Sequence, residues 1–262
     1  MSTFLPKFLT KNQITTVDDL SDSASTTVSN KTKLIDRNRE YLYMSVGSTS
    51  GSRTITWTPS LSTPRTISRI FVQGINWDSF TIKYNTSSFF STPISFTGNT
   101  KTNLYFEFNA VAVTNVVISV STTFPLNEVI KCGQFYAGSE LYQMVNTTGG
   151  QFVITPVQKA TVLTLADGTT YKTTDRLYLR NVDFELMAVS AAEKENFRTV
   201  YDYNATNPFV FIPYPATSTD TWDGKADHYN WINGFEFDTF TDDVELNGYN
   251  GIINLAQAGG IG

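Results

Sequence analysis

The sequence predicts a mainly β protein: two β domains and a single helix. Three observations carry this. Aromatic residues make up 14% of the chain and charged residues only 16%. Threonine, serine, valine and isoleucine are abundant, a composition that suits pleated, half-buried surfaces. Apolar residues recur at every second position in several runs, the period of a strand with one buried face. Helical punctuation is clear in one stretch alone. Ser190 is followed three residues later by Glu193, a capping box in which a serine oxygen takes a free helix N–H. Phe197, Val200 and Tyr201 then form an i, i+3, i+4 stripe, and Asn204 and Pro208 stop the helix. It is expected at about 190–203, between an alternating strand (Val182, Phe184, Leu186) and an apolar run, Phe209-Val-Phe-Ile212, bounded by two prolines.

Taken in order, residues 1–14 read as an N-terminal arm within a polar stretch holding Asp18, Asp19 and Asp22. The arm is expected to be loosely ordered or to drape over a neighbouring subunit. Residues 15–137 read as a β-sandwich. Ile55 and Trp57 alternate with threonines, residues 67–72 are an apolar run, and Phe80-Thr-Ile-Lys-Tyr84 alternates again. Leu104, Phe106 and Phe108 point one way while Tyr105 and Glu107 point the other, and Val116, Ile118 and Val120 complete the set. Turn residues break these runs about every ten residues, the rhythm of a sandwich. Phe89 and Phe90 read as core or subunit contacts. The domain boundary is expected near 137.

Residues 138–258 read as a second β domain. Strands are expected at 151–155 and 161–165, with Ala166-Asp-Gly168 as a hairpin turn. The chain pairs back from Tyr171 through Leu177-Tyr-Leu179. After the helix and residues 209–212 comes a long polar loop over 214–229, then strands at 231–237 and 248–255. Residues 259–262 form a flexible tail.

The formal charge of −5 hides an asymmetry. Residues 181–262 hold 13 acidic and 3 basic residues; subtracting from totals of 24 and 19 leaves 11 acidic and 16 basic in residues 1–180. The balances are −10 and +5, the pattern of two ordinary domains of different pI or, alternatively, of electrostatic complementarity between copies or partners; the acidic C-terminal part argues against nucleic acid.

Catalytic constellations are missing. One cysteine, Cys132, rules out an intrachain disulfide, and its place after Val129-Ile130 reads as a buried structural thiol. One histidine, His228, rules out a histidine metal cluster. It reads as a surface residue in a loop beside Asp227, and no nucleophile elbow accompanies it. There is no phosphate-binding or dinucleotide fingerprint, so neither enzyme activity nor a cofactor is expected. The carboxylates Asp220, Asp223, Asp227, Glu236, Asp238, Asp242, Asp243 and Glu245 read as solvated loop residues, and Asp220-Thr-Trp-Asp-Gly224 lacks the spacing of a calcium loop. No metal site is therefore expected. The aromatic residues Phe197, Tyr201, Trp222 and Trp231 are candidate interface anchors, because buried aromatics dominate the energy of protein contacts. Trp222 and Trp231 could equally stack on a sugar. No run approaches the roughly 18 apolar residues of a membrane span, and no secretory signal is visible.

Two resemblances add to this reading. Leu34-Ile-Asp-Arg37, Tyr43-Met-Ser-Val-Gly47, Thr54-Ile-Thr-Trp57, the 67–76 run and Phe80-Thr-Ile-Lys-Tyr84 resemble the discoidin (coagulation factor 5/8 C-type) jelly roll. That resemblance implies a module that binds glycans or lipids through loop tips. Phe184-Glu-Leu186, residues 190–203, Pro208-Phe-Val-Phe-Ile-Pro213, Ile232-Asn-Gly-Phe-Glu-Phe237 and residues 249–258 resemble the ring-forming domain of phage distal-tail and hub proteins, a β-sandwich or barrel flanked by one helix. That resemblance implies a virion tail-tip or baseplate component, made in the cytoplasm of a host bacterium. It would assemble with itself, in a hexameric ring, and with tube, hub and fibre proteins. The domain order is reversed relative to that family. The alternative is a receptor-recognition module that binds a host-surface glycan through the first domain.

Overall fold

In a computed structural model the alternating runs become antiparallel strands. The structure describes residues 6–9, 11–22, 31–35, 43–45, 53–59, 64–86, 89–90, 94–121, 130–139, 142–144, 153–164, 166, 169–213, 227–239 and 248–258. In chain order the strands are β1 (Lys7–Leu9), β2 (Lys11–Asn12), β3 (Leu20–Asp22), β4 (Tyr43–Ser45), β5 (Arg53–Trp57), β6 (Arg65–Gln73), β7 (Phe80–Thr86), β8 (Phe89–Phe90), β9 (Ile94–Phe96) and β10 (Leu104–Val113). They continue with β11 (Val116–Val120), β12 (Ile130–Cys132), β13 (Gln134–Ser139), β14 (Tyr142–Gln143), β15 (Val153–Thr164) and β16 (Thr170–Val189). Helix α1 (Ala191–Asn204) follows, then β17 (Phe209–Ile212), β18 (Asp227–Trp231), β19 (Phe237–Thr239) and β20 (Tyr249–Gln257). The expected mainly β class with one α-helix is what the described residues form.

The chain forms two compact units. The first is Met1–Gln143 with Val210–Asp227 and Gly260–Gly262; the second is Met144–Phe209 with His228–Gly259. Residues 210–212 therefore group with the N-terminal unit, not with the helix that precedes them.

The first unit is a sandwich. One sheet runs β3-β5-β11-β7-β8, with β9 also on β7; the other runs β10-β6-β13-β2. Between them lies a core including Trp57, Phe80, Ile82, Val72, Phe106, Ile118 and Phe135, all nearly inaccessible. β6 explains why its sequence is a continuous apolar run: both its faces are covered, as unbroken apolar strands imply. Ile70 and Val72 enter the main core, whereas Phe71 joins Tyr105, Tyr136, Leu9, Val210 and Ile212 in a second cluster. That second cluster is closed by the ladder β14-β1-β17, in which Phe8 lies opposite Phe211 and Tyr142.

The N-terminal segment thus departs from expectation. Residues 7–9 are the central strand of a ladder, with Phe8 at 0% and Leu9 at 1% exposure. Burying two large apolar side chains contributes roughly 3–6 kcal/mol, which outweighs the tendency of termini to fray. Lys7 is tied down as well: its Nζ reaches both carboxylate oxygens of Glu107 at 2.8 Å, and Arg69 Nη2 meets the same carboxylate at 3.0 Å. Asn12 fixes the next step. Its amide donates to Phe135 O at 3.2 Å and accepts from the N–H groups of Ile14 and Ala137, each at 3.1 Å.

The second unit is a sheet of order β18-β20-β16-β15, with β19 also on β20, and helix α1. The expected strands at 171–179 and 182–186 are one strand, β16, of 20 residues. The expected strand at 231–237 is two, because β18 ends at Trp231 and pairing resumes at Phe237. Ser190 caps α1 as expected, its Oγ accepting from Glu193 N at 3.2 Å. Phe197 and Val200 are fully buried. The C-terminal turn of α1 is held by Asn204, whose amide donates to Trp231 O and accepts from Trp231 N, both at 3.1 Å. Asn233 does the same for β20, donating to Ile252 O at 2.7 Å and accepting from Asn254 N at 2.9 Å. Gly251 is required where Phe237 crosses it: a Cβ there would lie 2.6 Å from the ring.

Candidate functional site

Strand direction in the first unit gathers several connections at one end of the sandwich. Phe80 pairs with Val120, Leu104 with Val72 and Gln134 with Gln73. The β6–β7 connection, the β9–β10 connection and Ser121 therefore emerge together. The first of these reads Gly74-Ile-Asn-Trp-Asp-Ser79. Its apolar residues face inward, Ile75 at 2% and Trp77 at 0% exposure, with Trp77 edge-on to Phe80 at 5.5 Å. Asp78 is left exposed between these anchors.

Asn99 locks the second connection onto the first. Its side chain donates to Trp77 O at 2.8 Å and Lys101 O at 2.9 Å and accepts from Lys101 N at 3.0 Å, while its own N–H donates to Asp78 O at 2.9 Å. Gly98, at φ +68°, allows the turn that brings Asn99 in, a conformation costly for a residue with a Cβ. Ser121 closes the group from the third side, its N–H and Oγ both donating to Ser79 O, at 2.8 and 3.2 Å. Ser79 Oγ donates to Asp78 Oδ2 at 2.8 Å. The result is a polar end in which Asp78, Ser79, Asn99, Lys101 and Ser121 hang on backbone fixed by hydrogen bonds. A carboxylate accepts, an ammonium donates and hydroxyls do both, so such a set can meet a ligand rich in hydroxyl groups. Sequence reasoning missed it. The available signal was the Asp78-Ser79 pair straight before the alternating strand that starts at Phe80, and the polar run 97–103.

The residues singled out from sequence are dispersed. Phe197 lies inside the second unit, stacked on Phe237 at 5.8 Å. Tyr201, half-buried, is edge-on to Trp231 at 5.4 Å and tilted against Phe235 at the same distance. Trp231 is 5% exposed. These three join α1 to the sheet, and cations cap the group from outside: Lys194 Nζ sits 3.9 Å from the Tyr249 ring and the Arg198 guanidinium 5.0 Å from the Phe235 ring. Trp222, the 220–224 segment, Asp242, Asp243 and Glu245 lie outside the described residues.

His228 is not a surface loop residue. It is in β18 and 5% exposed, because the strand begins earlier than the polar sequence suggested. Asp227 is buried too, at 1%, and accepts from Gln73 Nε2. Glu236 and Asp238 are exposed. Cys132 is fully buried with Sγ 3.5 Å from Gln134 O, and burial pushes its thiol far up from the ordinary range. That matches the expected inert thiol. Among the described residues no group of three or more His, Cys, Asp or Glu side chains could hold a metal, and no helix is long and apolar enough to cross a membrane.

A second surface feature lies on the sheet of the second unit. Its inner face carries Val182, Phe184, Leu186, Ile253 and Leu255, all buried. Its outer face carries Asp183, Glu185, Met187, Ile252, Asn254 and Ile232. Met187 is 48% exposed, Ile252 54% and Ile232 57%; these are the exposed large apolar side chains among the described residues. Register places them together. Glu185 pairs with Ile252, Leu186 with Gly251, and Ile232 N donates to Asn254 O at 2.9 Å. Ile252 is therefore central, with Met187 and Ile232 diagonally to either side.

No protein-family model and no curated protein matches the chain. Solved structures similar to about half of it include carbohydrate-binding modules. One is chitosan-binding module 1 from a Paenibacillus sp. IK-5 chitosanase/glucanase, at 14% identity and TM-score 0.37, covering 45% of this chain and 92% of that one. Another is the family 32 carbohydrate-binding module of NanJ from C. perfringens in complex with galactose, at 11% identity and TM-score 0.37, covering 50% and 98%. A third is a pectin-binding module, at 12% identity and TM-score 0.34, covering 48% and 91%. The resemblance to phage tail proteins rests on the sequence alone.

Proposed function

We propose that the chain is a non-catalytic recognition protein that binds a glycan at the loop end of its N-terminal sandwich. The observation that supports this reading is the Asn99 lock, which presents Asp78, Ser79 and Lys101 on backbone that does not have to be ordered when a ligand arrives. Preorganised polar groups on a rigid scaffold lower the cost of binding. A glycan array with the purified chain, followed by calorimetry on any hit, tests it. Binding lost in Asp78→Ala and in Lys101→Ala, with unfolding midpoints unchanged, is the expected result. An empty array, or a hit indifferent to both substitutions, removes the reading.

A second reading is favoured by a different observation, the half-exposed stripe of Met187, Ile232 and Ile252. Contiguous apolar surface on a sheet face marks contact with another molecule, whereas single exposed residues do not. In that reading the protein is a structural component of a phage tail tip or baseplate, assembling in rings with itself, six copies being the number the resemblance implies, and with other tail proteins. Light scattering with negative-stain images of the same sample tests it. Rings or integral multiples of the chain mass are expected; a chain monomeric at every concentration, alone and with tail proteins, removes it.

A further inference from the structure

We infer that the glycan taken at this loop end is an acidic one, its carboxylate or sulfate group held by Lys101 and Lys131. The inference rests on the glycan-binding reading and narrows it to a ligand class. In the sheet, β6 lies between β10 and β13, so the β6–β7 connection (residues 74–79) has a flank on each side. On the β10 side Asn99 ties it to Lys101, its amide donating to both Trp77 O and Lys101 O. On the β13 side Asn76 ties it to β12, its Oδ1 accepting from Lys131 N at 2.8 Å. Strand alternation sets the direction of Lys131. Its neighbours in β12, Ile130 and Cys132, are 6% and 0% exposed and belong to the sandwich core. Successive side chains on a strand point to opposite faces, so Lys131 faces away from that core. Both lysines are half-buried, which sets each ammonium on a stem that is partly packed.

Charge selects the ligand. Among the described residues, the connection and the segments hydrogen-bonded to it (residues 99–103, Ser121 and Lys131) hold two lysines and one acid, Asp78. A further acid, Asp227 on Gln73 Nε2, is 1% exposed and out of a ligand's reach. An anionic group on the ligand therefore meets two attractions and one repulsion. A cationic amino sugar meets the reverse, and a neutral sugar leaves both ammonium groups without a use. Hydrogen bonds from an ammonium to a carboxylate or sulfate are roughly twice as strong as neutral ones. Asp78, whose Oδ2 accepts from Ser79 Oγ, keeps acceptor capacity for ligand hydroxyls. The two roles divide along the loop: the carboxylate and hydroxyl read the sugar ring, and the flanking lysines read its acid.

An array carrying neutral, amino, uronic, sialylated and sulfated glycans tests this on the full-length chain. Calorimetry then compares the best acidic hit with its methyl-esterified or desulfated form, which differs at the charged group. Hits should be confined to acidic glycans and be lost when that group is neutralised. Binding should weaken as sodium chloride is raised from about 0.05 to 0.5 M. Lys131→Gln should weaken it by about tenfold, and Lys131→Arg should retain it. Both variants keep the backbone N–H that holds Asn76, so unfolding midpoints should not move. Hits on neutral or amino glycans alone, or an acidic hit indifferent to salt and to Lys131→Gln, would overturn the inference and leave the glycan-binding reading intact. An array empty of every class would overturn both.

Discussion

The two sheets that carry the units treat their outer faces in opposite ways. In the first unit β6 is covered on both sides, by the main core and by the β14-β1-β17 ladder over Phe71, Tyr105 and Tyr136. In the second unit β16 and β20 are covered on one side, and the other carries Ile252 at 54% exposure. One chain thus holds a sheet sealed by its own N-terminus and a sheet left open. The difference separates what stabilises the fold from what is available for contact.

The largest expected effect is at the sealed face. Phe71→Ala should lower unfolding free energy by about 3–5 kcal/mol in urea titration, the cost of a large cavity in a packed core. A loss below about 1 kcal/mol would mean that the ladder adapts to the missing ring and is not a packed layer. Next comes Lys7→Ala, which strips two charged hydrogen bonds from Glu107 but leaves it Arg69. A loss of about 1.5–3 kcal/mol is expected, with faster amide exchange over residues 7–9; unaltered exchange would show the strand to be held by Phe8 and Leu9 alone.

A smaller change should run the other way. Ala188 lies at φ +54°, in the left-handed region, where β16 shifts register against β20 before the helix cap. Ala188→Gly should stabilise the chain by about 1 kcal/mol, read as a higher thermal midpoint; destabilisation would show that the alanine methyl is needed for packing. Least affected should be the open face. Ile252→Ser should change the stability of the monomer by no more than about 0.5 kcal/mol. A loss several times larger would place Ile252 within the fold and erase the contrast between the two sheets.

Much of this was legible from the sequence where period and burial agree. Ile55 and Trp57, Phe80 and Ile82, and Val116, Ile118 and Val120 alternate because one face of their sheet meets the core and the other meets solvent. Helix α1 was legible through Ser190 and the Phe197–Val200 spacing. What failed was long-range pairing. Three residues, Lys7-Phe-Leu9, are too few to show a period, and their partners are more than a hundred residues away. Residues 209–212 looked joined to the helix before them, yet 210–212 pair with β1. His228 was judged by polar neighbours in sequence, whereas it lies in β18, a strand that pairs with β20, and is buried. The loop end around Asn99 was opaque for a related reason: its chemistry lies in backbone groups that one asparagine gathers, and no spacing of side chains announces them.

Among the described residues that asparagine is used like at least three others. Asn12, Asn99, Asn204 and Asn233 each offer an amide that gives and takes hydrogen bonds with backbone, as a neighbouring strand would. An amide neither gains nor loses a proton at ordinary pH, and it carries no charge for salt to screen. Joints made this way keep the same strength in acid, in brine or in fresh water. A chain that ties these joints with amides has removed the surrounding medium as a variable there, in contrast to the charged Lys7–Glu107–Arg69 contact, which acid or salt would weaken.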